Sequence, residues 1–276
     1  MPNSLLNDTD IASQTIFLHS NDSIVTFNDA EKIFYLSQAI IAPAGTRLLV
    51  GLTNMTFPNS IYNVTEIDNT ISINGVITTI TVGNYSADTL AAEIQSSSAE
   101  VSTCVFDSEN NVFIFTFTGS YSIDSSTMER QLGLKQQLPT AQATSYTAQN
   151  ICDLGGATNI YVRIRNLTMN NLDSRGRTSN IIASIVNNCN FGSFIFYVPP
   201  EVLYYQINEN TVSHLDIELT DQEGNILDLN GADFNMTLTF HYVKQRQSSV
   251  KDSMLKQIRD QHSTQKKKTD ENKNIN

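Results

Sequence analysis

The sequence predicts a mainly β protein, a β-sandwich interrupted once by a small α+β insertion and followed by a flexible C-terminal tail. Three observations predict it. Apolar residues alternate with polar ones in short runs, the two-residue period of a half-buried strand, as in Leu215, Ile217 and Leu219 set among Asp216, Glu218 and Thr220. Those runs are punctuated by Asn, Asp, Gly and Pro, the residues that build turns. The charge, finally, is divided: of a net −11, residues 244–276 hold nine Lys/Arg against four Asp/Glu, a net of +5, which leaves −16 for the rest.

In chain order, Thr15–His19, Ser23–Phe27 and Lys32–Leu36 read as strands, with Asn21-Asp22 and Asn28-Asp29 as turns. Ala42-Pro-Ala-Gly45 breaks the chain before Thr46–Phe57, a strand apolar enough to be central, which Pro58 stops. Asn74-Gly75 is a tight hairpin turn within Ile71–Val82. A helix follows, capped by Ser86 and turning Leu90, Ala91 and Ile94 inward. A second hairpin pairs Ser102–Phe106 with Val112–Phe117, so the insertion reads as ββαββ. It closes on a short helix over Met128–Leu134 that ends at Gly133, and on a polar linker from Gln136 to Gln149.

From Ile151 strands resume: Asn159–Asn166, then Asn180–Val186 and Ser193–Val198, both apolar enough for sheet interiors, the latter stopped by Pro199-Pro200. Leu215–Thr220 and Met236–Tyr242 follow, joined by the turn Asp221–Asn225 and by Leu227 and Leu229, which lead back to the core. Four strands before the insertion and about five after it match the number in a single jelly-roll β-sandwich. The predicted organisation is a jelly roll of residues 12–66 and 150–243, an inserted module with linker at 67–149, and a basic tail at 244–276, partly helical or disordered. Within the tail, Val250, Met254, Leu255 and Ile258 have the spacing of a short amphipathic helix.

The run L-x-D-x-x-G-x-x-L-D-L-N-G-x-D-F-x-M-T-L, from Leu219 to Leu238, and the phrase Thr56-Phe-Pro-Asn-Ser-Ile-Tyr-Asn63 resemble the single jelly-roll penton and minor capsid proteins of the virophage, polinton-like and giant-virus lineage. The resemblance covers the jelly-roll frame, is strongest over 159–243, and is weakest in the insertion and tail. It implies a capsid protein that closes a homopentamer at an icosahedral vertex, with the insertion outward and the tail inward, and without catalysis. Implied partners are further copies of the chain, a double jelly-roll major capsid protein and other minor capsid proteins. The implied location is the virion, after synthesis in the host cytoplasm. Alternatives are a minor capsid or cement protein of other stoichiometry, or a jelly-roll module that binds a receptor or carbohydrate, the latter weakened by the absence of Trp but kept open by ten Tyr.

The chain lacks the sequence patterns of common catalytic sites: no G-x-S-x-G, no H-E-x-x-H, no phosphate loop, no C-x-x-C. No cofactor is expected. His19, His214, His241 and His262 are too scattered for a metal or cupin-like site. Asp221, Glu223 and Asn225 resemble the start of a calcium loop but lack the twelfth-position acid, so a charged hairpin turn is favoured. Cys104, Cys152 and Cys189 read as buried reduced thiols, and sequons such as Asn54-Met-Thr and Asn235-Met-Thr as chance products of an Asn-rich chain. No run of about 18 apolar residues spans a bilayer, and residues 1–8 do not read as a signal peptide. Two sets of residues are candidates for contact. Arg163, Arg165, Arg175 and Arg177, half of the basic residues outside the tail, suit an interface with a neighbour's carboxylates. Lys256, Arg259, Lys266, Lys267 and Lys268 suit contact with an inner component or with the phosphates of packaged DNA.

Overall fold

The computed structural model describes residues 12–134, 138–169, 171–172 and 178–244. The chain enters through β1 (Ala12–His19), β2 (Val25–Asn28), β3 (Glu31–Ile41) and β4 (Thr46–Pro58). The insertion holds β5 (Thr70–Ile73), β6 (Val76–Thr79), α1 (Ala87–Ser97), β7 (Val101–Asp107), β8 (Val112–Tyr121), β9 (Ile123–Ser126) and β10 (Ala143–Thr147). The chain then runs through β11 (Asn159–Ile164), the short pair β12 (Asn171–Leu172) and β13 (Thr178–Ser179), and β14 (Ile181–Val186). Last come β15 (Phe194–Tyr197), β16 (Tyr205–Gln206), β17 (Thr211–Thr220) and β18 (Asn235–Lys244).

Two antiparallel sheets form the frame. The front sheet has the order β1-β18-β4-β15, with β16 also on β4, and the back sheet the order β14-β11-β17-β3-β2. Numbering the eight principal strands along the chain, the sheets read 1-8-3-6 and 2-7-4-5, the interlocked connectivity of a jelly roll. The alternation anticipated in β17 is realised: Leu215, Ile217 and Leu219 are fully buried, against Phe34 of β3 and Ile164 and Val162 of β11. From the front sheet Leu48, Val50, Leu52, Met55 and Phe57 of β4, with Met236, Leu238 and Phe240 of β18, complete one continuous apolar core.

The insertion has a core of its own. Ile71, Ile73, Ile80, Phe113, Phe115, Ile123, Met128, Leu132 and Leu134 pack with Leu90, Ala91 and Ile94 of α1. Asn74 (φ 51) and Gly75 (φ 78) both occupy the left-handed region, as the two-residue turn joining β5 to β6 requires. Ser86 caps α1 in a reciprocal pair: its Oγ accepts from Thr89 N at 3.2 Å, and Thr89 Oγ1 accepts from Ser86 N at 2.9 Å.

Four expectations are corrected. Residues 128–134 form a single turn rather than a helix: Leu134 N donates to Glu129 O and Gly133 N to Arg130 O, so the stop at Gly133 (φ 68) closes the turn almost as soon as it opens. The polar stretch expected as linker contains β10, which pairs with β8, so the insertion has two three-stranded sheets, β10-β8-β7 and β6-β5-β9. Asp221–Asn225 is not a hairpin turn, because β17 and β18 lie in opposite sheets and the loop crosses between them. Ser193–Val198 and Asn180–Val186 are not sheet interiors: β15 and β14 are edge strands, and Phe194, Phe196 and Val198 are 59%, 74% and 73% exposed.

Candidate functional site

The loops of the sandwich gather at two ends, and the ends differ. At one, the connections β1–β3, β4–β11, β14–β15 and β17–β18 are tied together. Ser20 Oγ and Asn21 Nδ2 donate to Asp233 at 2.6 and 2.8 Å, Asn59 Nδ2 donates to Cys189 O at 2.9 Å, and Asn230 Nδ2 donates to Ser60 O at 2.6 Å. These donors, Ser20 first, hold the Asp233 carboxyl below the usual carboxylate range. The inserted module stands on this end. Its neck is built on Asn63, whose Nδ2 donates to Tyr85 O and Leu154 O and whose Oδ1 accepts from Tyr85 N. The chain returns at Gly156 (φ 59), where an added Cβ would lie 3.5 Å from Asn63 Cα, so the outgoing and returning strands of the neck touch. At the other end Arg47 donates to Gln206 Oε1 at 2.7 Å, and Lys244, the last described residue, pairs with Thr46. The last described strand therefore ends, at Lys244, opposite the module.

Between module and sandwich lies a cleft of about 830 Å³. Its module wall carries Glu66, Ile67, Asp68, Glu129 and Gln131, and its sandwich wall is the crossing loop of residues 221–230. That loop is shaped by Asp221, whose Oδ1 accepts the N–H groups of Glu223, Gly224 and Asn225 at 2.9, 2.7 and 2.8 Å. This oxygen thus caps its own loop.

On the outer face of the back sheet Arg165 meets three carboxylates, Glu31 at 2.5 Å, Asp216 at 3.1 Å and Glu218 at 3.2 Å, and Arg163 stands 4.0 Å from Glu218. Burial opposes the charge of Arg165, but the hydrogen bond to Asp216 and the fields of Asp216, Glu31 and Glu218 prevail and raise its pKa. Glu218 is also pushed up, first by burial, because the two guanidinium groups do not fully offset desolvation and two neighbouring acids. The two directions agree physically: one guanidinium is shared among three carboxylates, and Glu218 is the member left short. Arg163 further donates to Thr220 Oγ1 and Asn180 Oδ1. The structure thus places Arg163 and Arg165 side by side with acids of their own chain. Arg175, Arg177, Lys256, Arg259, Lys266, Lys267 and Lys268, with His262 and the segment expected to form a tail helix, lie outside the described residues.

The described histidines stand apart. His19 Nδ1 accepts from Asn21 N, His214 stacks on Tyr35, and His241 meets Tyr204 edge-on, with burial lowering its pKa. Among the described residues no group of three or more His, Cys, Asp or Glu is placed to hold a metal ion, and no helix is long and apolar enough to cross a membrane. All three thiols are free, but only Cys104 is buried, and burial pushes its pKa up to about 12; Cys152 and Cys189 are half-buried, a correction to the expectation for those two.

The residues that sequence reasoning missed are apolar. Phe194 and Phe196 on β15 and Val198 just beyond it project from one flank of the front sheet, and Phe17, 79% exposed, projects from β1 at the other. The rings of Phe194 and Phe196 lie 6.1 Å apart, and contiguous exposed apolar groups mark contact surfaces. The signal was present in the unbroken run Phe194–Val198, where a one-faced strand would alternate.

No protein-family model matches the chain, and no curated protein does. Among solved structures it is similar to the crystal structure of the mavirus penton protein, at 11% identity and a TM-score of 0.47 over 84% of this chain and 99% of that one. It is also similar to a chain of the Sputnik virophage structure from cryo-EM, at 12% identity and a TM-score of 0.37 over 86% of this chain and 98% of that one.

Proposed function

We propose that the protein is a structural capsid subunit of penton type, five copies of which close the vertex of an icosahedral virion, without catalysis. The observation that carries this reading is the pair of apolar flanks on one sheet. Phe194, Phe196 and Val198 stand at the β15 edge and Phe17 at the β1 edge. A ring needs two different surfaces on each copy that fit each other with a closing rotation, and opposite flanks of a sandwich supply them. The sequence resemblance at 56–63 and 219–238 points the same way. So does the placement of the module and of Lys244 at opposite ends, which suits a subunit standing upright in a shell. The partly exposed Arg163, together with Arg175 and Arg177, is assigned to carboxylates of the neighbouring copy, while Arg165 serves its own chain. The tail lysines and arginines are assigned to the particle interior, on an inner protein or on DNA phosphates. Major and minor capsid proteins are the further partners of such a ring.

The test is the mass of the purified protein by light scattering across concentration and salt, with electron imaging of the species formed. A closed pentamer that Phe194→Ser with Phe196→Ser reduces to folded monomers is the expected result. A strict monomer or trimer overturns the vertex reading in favour of a minor capsid protein or a receptor-binding module.

A further inference from the structure

The cleft under the module is acidic, open and short of donors. The carboxylates of Glu66 and Glu129 on the module wall have no hydrogen-bond or ion-pair partner among the described residues, and those of Glu223 and Asp228 on the opposite wall are exposed, accepting from Gln222 Nε2 at 3.5 Å and from Asn230 N at 2.8 Å. Among the described residues the cleft's one cationic side chain, Arg130, is turned to Gly156 O at 3.2 Å and Asp153 at 3.9 Å. A second, independent observation concerns Gln131. It is 1% exposed, and its Nε2 donates to Asn63 O and to Asp68 Oδ2, both on the cleft wall, yet its Oε1 is buried without a partner. Gln222 Oε1, across the cleft, is likewise unpartnered. A buried acceptor with no donor is costly, and here two of them belong to residues lining a cleft that also carries the unpartnered carboxylates of Glu66 and Glu129. The walls also carry two exposed apolar side chains, Ile67 at 63% and Ile226 at 42%.

We infer that this cleft binds an extended Lys/Arg-rich segment of another protein, its cationic groups on Glu66, Glu129, Glu223 and Asp228 and its apolar side chains between Ile67 and Ile226. Donors are what the site lacks, and guanidinium and ammonium groups bring several donors each with the matching charge. A strand-like segment presents alternate side chains to opposite sides, which suits two walls of different chemistry. The acids are spread along the walls rather than gathered, which suits a chain of charges and not a single ion. The occupant is a segment of another protein rather than the chain's own basic tail, because Lys244 pairs with Thr46 at the far end of β18, ~33 Å away for ten residues, so a tail entering its own cleft would first have to run back along the whole sandwich. The inference rests on the cleft and not on the vertex reading, since binding is measured on whatever oligomer the full chain forms.

The probe is a fluorescent peptide of alternating arginine and leucine, titrated against the full chain by anisotropy at physiological salt. The triple variant Glu66→Gln, Glu129→Gln, Glu223→Gln is compared with Asp22→Asn, Glu109→Gln, Glu201→Gln, an equal change of charge at exposed acids that do not line the cleft. The expected result is a loss of affinity of about tenfold for the first and under about twofold for the second, three ion pairs lost against general attraction alone. A loss is also expected for Ile67→Ser with Ile226→Ser, which leaves the charge untouched. Equal losses in both charge variants, or no effect of the isoleucine pair, would overturn the proposal. So would a marked gain in affinity on deleting 245–276, which would make the tail the natural occupant.

Discussion

Arg165 is the residue on which the outer face of the back sheet depends. Its guanidinium lies between Glu31, Asp216 and Glu218, so removing it leaves one buried and two half-buried acids, of which Glu218 alone is paired with Arg163. Because the Arg165 side chain is itself 35% exposed, solvent screens part of the effect, and Arg165→Met is expected to lower stability by about 1–2 kcal/mol in urea unfolding at pH 7. Glu218 works in the opposite sense. Its folded pKa is raised, so between its unfolded value and that raised value the native state holds more proton than the unfolded chain, and stability from this group falls as pH rises through the window. Glu218→Gln is therefore expected to flatten stability in the range just above its ordinary pKa without lowering it at pH 7; a loss at pH 7 comparable to that of Arg165→Met would contradict this account. Cys104 gives a simpler expectation. Buried and pushed up to about 12, it stays a thiol in the native protein and is expected to be unreactive toward a disulfide reagent until the chain unfolds, whereas Cys152 and Cys189 react first.

Among elements, the turn at 128–134 shows how little of the chain a local pattern can decide. The Met128 and Leu132 side chains have the i, i+4 spacing of a helix, and with Leu134 they are buried in the module core, yet the helical hydrogen bonding amounts to one turn closed by Gly133. Gly133 is left-handed, and a Cβ there would overlap the carbonyl of Asn150. Gly133→Ala is expected to cost at least about 2 kcal/mol, the left-handed strain plus a backbone clash, read as faster hydrogen exchange at the β8 amides of Phe113 and Phe115 while β17 stays protected. Equal loss of protection in β17 would mean that module and sandwich open together. β15 teaches the complementary lesson. A run of apolar residues signals burial or contact without saying which, and only the register of β15 on β4, which turns Ile195 into the core, leaves Phe194 and Phe196 on the outer face.

At the scale of the whole molecule two cores share one neck. The sandwich core and the module core are separate clusters, and Val64, Cys152 and Leu154 belong with the module, so the division expected at residues 67 and 149 is better placed at the touching pair Asn63 and Gly156. Replacing 64–155 by a short glycine linker is expected to leave a folded sandwich with unchanged protection in β17 and β18; a molten product would show that the sandwich needs its module. The sequence by itself determined the period-two strands, the capped helix, the Asn74-Gly75 turn, the buried triad of β17 and the electrostatic split between body and tail, because each is set by neighbours within a few residues. Tertiary structure alone decided which apolar strands lie at an edge, that Arg165 is held by acids from two other strands, that β10 completes a sheet from within a polar stretch, and that an acidic cleft forms under the module. Those features join residues far apart in the chain, and their energies come from contacts that no local pattern encodes.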